Sequence, residues 1–195
     1  LIATALMISL LAGKTALALA LPLAFTIVLY NAGARRLPAI GFLTMGLCRG
    51  GNVLLGASLA LPPLWHPLYT AALCETIFVA AITAAATRET ASSLGKRAGW
   101  PALLLALGLF AILAEQGFPM LGTLASVCAG LTAALPVMRT REYSPGETIG
   151  CLLRGLIPLQ AAFILVSDAR LAPWAGAVLL LWPLGRLLNR FVPGH

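Results

Sequence analysis

The chain has 195 residues, of which 60% are hydrophobic and only 10% charged, and a formal net charge of +7. An average soluble domain carries about 25% charged residues, so the composition excludes an ordinary water-soluble enzyme and points to a chain dissolved in lipid. The basic excess does not mark a nucleic-acid binder, because the cations are confined to particular connections between apolar runs, as membrane topology demands.

Eight apolar segments follow one another, at about 1–13, 15–30, 39–61, 68–87, 99–114, 119–138, 149–167 and 173–188. In lipid every backbone polar group must be satisfied inside its own helix or in a closed barrel. Barrel strands would alternate polar and apolar residues over segments of about 10 residues. These runs are continuous and rich in Ala and Leu, so the expected fold is all-α: one polytopic transmembrane helical bundle of about eight helices over residues 1–195, around a central cavity.

The first two segments are parted only by Gly13 and Lys14. The chain opens on Leu1 without a basic leader, which makes a poor signal peptide. The second segment ends in Tyr30 and Asn31, and the connection 31–38 carries Arg35 and Arg36. Guanidinium groups at that position suit phosphate, through charge-assisted and often bidentate hydrogen bonds. The plainer reading is that they anchor topology.

The third segment holds Arg49 in the middle of an apolar run. A cation there costs about 2.5–3.5 kcal/mol on insertion scales, so Arg49 must face a cavity or a counter-charge. Gly46, Arg49, Asn52 and Gly56 are spaced three, three and four, which predicts one shared helix face. Gly46 and Gly50 also form a Gly-x-x-x-Gly pair that permits close helix packing. Glu75, in the next segment, lies at a depth suited to a counter-ion. The connection 88–98 brings Arg88, Glu89, Lys96 and Arg97, and Arg154 and Gln160 fall in 149–167.

The charges alternate from side to side. Arg35, Arg36, Arg88, Lys96, Arg97, Arg139, Arg141, Arg186 and Arg190 fall on one side, against Lys14 and Arg170 on the other. The basic side is therefore expected to be cytoplasmic. Trp65, Trp100 and Trp174 lie at segment ends, where indole rings favour the membrane interface. Pro22, Pro136, Pro158 and Pro183 are candidate kinks. Cys48, Cys74, Cys128 and Cys151 form no metal or disulfide spacing, and His66 and His195 are far apart. No nucleophile triad or P-loop is present, and no strand precedes Gly50-Gly51 to make a dinucleotide fingerprint.

Four stretches in this order resemble the UbiA superfamily of intramembrane prenyltransferases, most closely its EboC-like branch. They are Leu-Tyr-Asn-Ala-Gly-Ala-Arg-Arg-Leu-Pro (29–38), Gly-Leu-Cys-Arg-Gly-Gly-Asn-Val-Leu-Leu-Gly-Ala (46–57), Ala-Ala-Thr-Arg-Glu-Thr (85–90) and Leu-Arg-Gly-Leu-Ile-Pro-Leu-Gln-Ala-Ala (153–162). The resemblance implies transfer of a polyprenyl group from its diphosphate to a small, often aromatic acceptor in a bacterial inner membrane. It implies catalytic roles for Tyr30 and Arg35, and Arg49 and Asn52 join them as catalytic candidates because an intramembrane charge on a shared polar face is functional by default. Substrate binding would fall to Asn31, Arg36, Arg88, Lys96 and Arg97. Mg²⁺ would be held mainly by residues upstream of Leu1, with Glu89 as a weak ligand here. The first Asp-rich motif of that family does not occur in this chain, and it is expected to precede residue 1 together with two helices. The second is reduced to Glu89. A non-catalytic prenyl-lipid binding protein, or a membrane transporter component, is the alternative function.

Overall fold

A computed structural model of the chain describes residues 1–58, 66–86, 99–138 and 145–191. The described residues are helical throughout, with no strand among them, and contain nine α-helices. These are α1 (Ile2–Ala12), α2 (Lys14–Ala32), α3 (Pro38–Ala57), α4 (His66–Ala86), α5 (Gly99–Glu115), α6 (Met120–Met138), α7 (Pro145–Arg154), α8 (Leu156–Ser167) and α9 (Ala172–Phe191). Short 3-10 turns at Ala34–Arg36 and Ala169–Leu171 precede α3 and α9. The backbone falls into two compact units, Leu1–Gly108 and Leu109–His195.

The apolar runs became helices at nearly the expected boundaries, but not every run is long enough to cross a bilayer. Among the described residues four helical stretches are: Lys14–Ala32, Pro38–Ala57, Pro67–Ala86 and Gly146–Ser167. The 11 residues of α1 rise about 16 Å at 1.5 Å per residue, roughly half a hydrocarbon core of about 30 Å. The seventh expected segment is two helices in sequence. Gly155 ends α7, its N–H divided between the carbonyls of Cys151 (3.2 Å) and Leu152 (3.0 Å). Pro158 then offers no N–H to the Arg154 carbonyl four residues earlier. The other candidate kinks break nothing: α2, α6 and α9 run on through Pro22, Pro136 and Pro183.

In the first unit, the register of α3 against α4 follows from two glycines. A Cβ on Gly46 would strike the Thr76 carbonyl and come within 3.1 Å of the Ala80 methyl. One on Gly50 would strike the Thr76 hydroxyl and lie 2.5 Å from the Ala72 carbonyl oxygen. Numbers rise along α3 as they fall along α4, so the helices are antiparallel and touch backbone to side chain. Small residues at such a seam are what lets helices pack in lipid, where hydrophobic exclusion supplies no driving force. On the other flank of α3, Gly51 faces Leu23 of α2.

In the second unit, α6 and α8 are antiparallel by the same logic. Gly122 abuts Val166, and Gly155 lies near Ala133. The buried stripe of α6 is Ser126, Ala129 and Ala133, while Leu121, Leu124, Val127, Leu131 and Leu135 are exposed. Small residues inside and large apolar ones outside would aggregate in water and suit a lipid-facing helix. Side-chain hydroxyls are folded onto their own helices for the same reason. Thr44, Thr76, Thr83 and Thr123 each donate to the carbonyl four residues back, at 2.8–2.9 Å. Trp100 and Trp174 are exposed at the starts of α5 and α9, as interface anchors should be.

Candidate functional site

The corner between α2 and α3 is built residue by residue. α2 closes with the Gly33 N–H on the Leu29 carbonyl, and Gly33 has φ 153°, in the range that side chains disfavour. The 3-10 turn is then held by Arg36 N–H to the Gly33 carbonyl (2.9 Å) and Leu37 N–H to the Ala34 carbonyl (3.0 Å). Leu37 is extended, at φ −98° and ψ 109°, as the residue before a proline must be. Pro38 opens α3 at a position where its missing N–H costs nothing. Gly41 packs on the turn, its Cβ position 3.2 Å from the Ala34 carbonyl oxygen and the Arg35 Cα. This rigid corner carries Arg35 and Arg36, both exposed, with half-buried Tyr30 and exposed Asn31 one turn back on α2. The Asn31 amide donates to the Ile27 carbonyl at 2.8 Å.

The α3–α4 seam places the other candidates. Gly46 lies opposite Thr76 and Ala80, and Gly50 opposite Ala72 and Thr76, which sets Arg49 level with Glu75 and Pro38 level with Ala86. Arg49 is 11 residues into α3 from Pro38, about 16 Å along the axis. Tyr30, Arg35 and Arg36 therefore share one end of the unit, and Arg49 and Asn52 occupy a second, deeper level. Residues 87–98 continue from the end of α4 that is level with the Arg35–Arg36 corner. Arg88, Glu89, Lys96 and Arg97 themselves lie outside the described residues.

The expected single face of α3 divides in two. Gly46 and Gly50 are buried against α4, whereas Arg49, Asn52 and Gly56 are exposed on the adjoining face, and a Cβ on Gly56 would meet nothing within 4 Å. The reason is the seam itself: the glycine pair docks, and residues about 100° away are carried clear of it.

That division has a side. Arg49 immediately precedes Gly50, and Glu75 immediately precedes Thr76. On antiparallel neighbours, equal rotations carry both residues to the same side of the helix row. Leu47, Leu73 and Ile77 immediately follow seam residues and fall on the opposite side, where all three are exposed. Tyr69 of α4, also exposed, lies on that side as well. The other bears Arg49, Asn52, and Glu75 at 3% exposure, flanked by buried Leu68 and Ile82. Glu75 is not a free side chain; it is engaged by a neighbour. This sidedness has no signal in the sequence, because it depends on which α4 residues meet the two glycines.

Among the described residues no group of three or more His, Cys, Asp or Glu side chains gathers to hold a metal ion. Mg²⁺ is usually held by one or two carboxylates with substrate phosphates. The described acidic side chain of the first unit is Glu75, about 16 Å from the Arg35–Arg36 corner by helix rise. The described residues of this corner therefore do not fit Mg²⁺. In the second unit, Arg154 is exposed at the α7–α8 break. No family model, curated protein or solved structure matches the chain.

Proposed function

We propose that this chain is an integral membrane protein that binds a prenyl diphosphate, and that it is a UbiA-like transferase passing the prenyl group to a small acceptor. The observation that supports this most is the α2–α3 corner. It carries two arginines and a tyrosine at one end of an apolar helix row, with Arg49 and Asn52 exposed further along α3. Arg35 and Arg36 would donate to the diphosphate oxygens and spread the charge that builds on the leaving group as the allylic C–O bond ionises. Tyr30 would add a hydroxyl donor, and Asn31 would border the same corner. The prenyl chain would run down the side bearing Arg49 and Asn52, in a central cavity that excludes water. Arg88, Lys96 and Arg97, which follow α4 in the chain, would complete the phosphate shell. No step is assigned to Mg²⁺, which the described residues do not fit.

Four helices long and apolar enough to cross a membrane are consistent with a membrane protein. A bacterial inner membrane, with residues 31–38, 88–98 and 139–148 cytoplasmic, belongs to the same proposal. A second reading is a prenyl-lipid binding protein or transporter component without chemistry.

Calorimetry of the chain in lipid nanodiscs with a prenyl thiodiphosphate, with and without Mg²⁺, tests the binding. Replacing Arg35 and Arg36 together by Ala should weaken it at least tenfold, since hydrogen bonds to charged groups contribute about 1.5–3 kcal/mol each. Unchanged affinity would remove the phosphate role and leave the transporter reading in front.

A further inference from the structure

We infer that Glu75 is the positioning counter-charge of Arg49, so that the two form one electrostatic unit midway along the helices, on one side of the α3–α4 pair. The inference does not depend on what binds at the Arg35–Arg36 corner.

Three observations carry it. The seam register sets the two residues at one level, because Gly46 faces Thr76 and Ala80 while Gly50 faces Ala72 and Thr76. Both immediately precede a seam residue on antiparallel helices, which brings them to the same side. Their surroundings differ in a complementary way. Arg49 is exposed on α3, whereas Glu75 is buried to 3% among the apolar residues of α4. Helices in contact have axes about 8–10 Å apart, and the close glycine approach favours the lower end of that range. Side chains at level positions on such neighbours are within reach of one another, and charges brought close in a poorly hydrated setting interact far more strongly than in water.

A lone cation or a lone carboxylate at this depth is costly, and such groups in membranes face protein or water and pair with one another. Glu75 therefore holds the local potential negative and draws the Arg49 guanidinium away from the side occupied by Leu47, Leu73 and Ile77. Glu75 also takes part in a further interaction.

The test uses the full chain in lipid vesicles, with Cys48, Cys74, Cys128 and Cys151 replaced by Ala and Arg49→Cys as the single thiol. Its rates of reaction with cationic and anionic methanethiosulfonate reagents report the local potential directly. The cationic reagent should react faster by several-fold, and Glu75→Gln should bring the two rates together while Glu75→Asp preserves the preference. A merely structural role for Glu75 would not move this ratio in that way. A ratio unchanged by Glu75→Gln overturns the inference, and so does a thiol that reacts with neither reagent, because Arg49 would then face lipid. A second measurement covers variants that fold poorly. Arg49→Gln and Glu75→Gln should each lower the melting temperature in detergent, and the double variant should recover part of the loss, since breaking a pair costs more than removing it. Strictly additive losses overturn the inference. Failure of prenyl diphosphate binding would leave both results untouched.

Discussion

Alanine at Gly50 and alanine at Gly56 should have opposite effects on stability. In an exposed helical position Gly→Ala stabilises by about 1 kcal/mol, because alanine loses less backbone freedom on folding. Gly56 is such a position: an added Cβ meets nothing within 4 Å. At Gly50 the same Cβ would fall 2.5 Å from the Ala72 carbonyl oxygen and still closer to the Thr76 hydroxyl. Those two obstacles are one unit, because the Thr76 hydroxyl donates to the Ala72 carbonyl at 2.8 Å. Neither can retreat without breaking that bond or shifting the α4 backbone. Overpacking of this kind costs roughly 1–3 kcal/mol, which offsets the gain in helix propensity and leaves a net loss of up to about 2 kcal/mol. The two variants should therefore differ by roughly 1–3 kcal/mol. Reversible unfolding in mixed micelles, titrated with a denaturing detergent, measures the difference. If Gly50→Ala is as stable as Gly56→Ala, the helices are not in contact at Gly50. The register that sets Arg49 level with Glu75 would then fall with it.

Gly33→Ala should keep every cation of the α2–α3 corner yet weaken prenyl thiodiphosphate binding. A side chain at φ 153° costs of order 1–3 kcal/mol, and relieving that strain would turn Arg35 and Arg36 away; wild-type affinity would refute this. Arg49→Leu should leave the protein in the membrane, with fractionation unchanged, and abolish whatever it binds or transfers; a fully active variant would make Arg49 dispensable. Pro158→Ala restores an N–H opposite the Arg154 carbonyl and should merge α7 and α8 into one helix. Slower amide exchange around residues 155–158 is the expected readout.

How far the sequence could be read depended on the kind of feature. Helices were legible because an apolar run in lipid has few other options. Lys14–Ala32 and Pro38–Ala57 lie within three or four residues of the expected 15–30 and 39–61. The α7–α8 break was only half legible: Pro158 was a candidate kink, but so were Pro22, Pro136 and Pro183, which interrupt nothing. What distinguishes Pro158 is Gly155 three residues before it, whose N–H is shared between two carbonyls. At the candidate site, the wheel position of Arg49 was clear from spacing, but its neighbours were not. Gly46 fitted two faces at once, the polar one with Arg49 and the packing one with Gly50. Only the residues of α4 decide between them, and they lie some thirty positions away in sequence. The basic connection 88–97 falls outside the described residues and stays an expectation.

The five-residue link from Gly33 to Leu37 also bears on how the protein is made. As membrane spans, α2 and α3 would enter the bilayer together, as a hairpin, across so short a connection. α3 is the least apolar of the four membrane-crossing stretches, and it carries the Arg49 cost of about 2.5–3.5 kcal/mol. Threaded alone it would be a hesitant insertion substrate; beside the more apolar α2 it enters at a joint free energy that favours the membrane. Lengthening this link by a flexible polar stretch would uncouple the two. During biosynthesis, the fraction of chains with α3 left outside the membrane would then rise, even though every contact of the finished protein could still form.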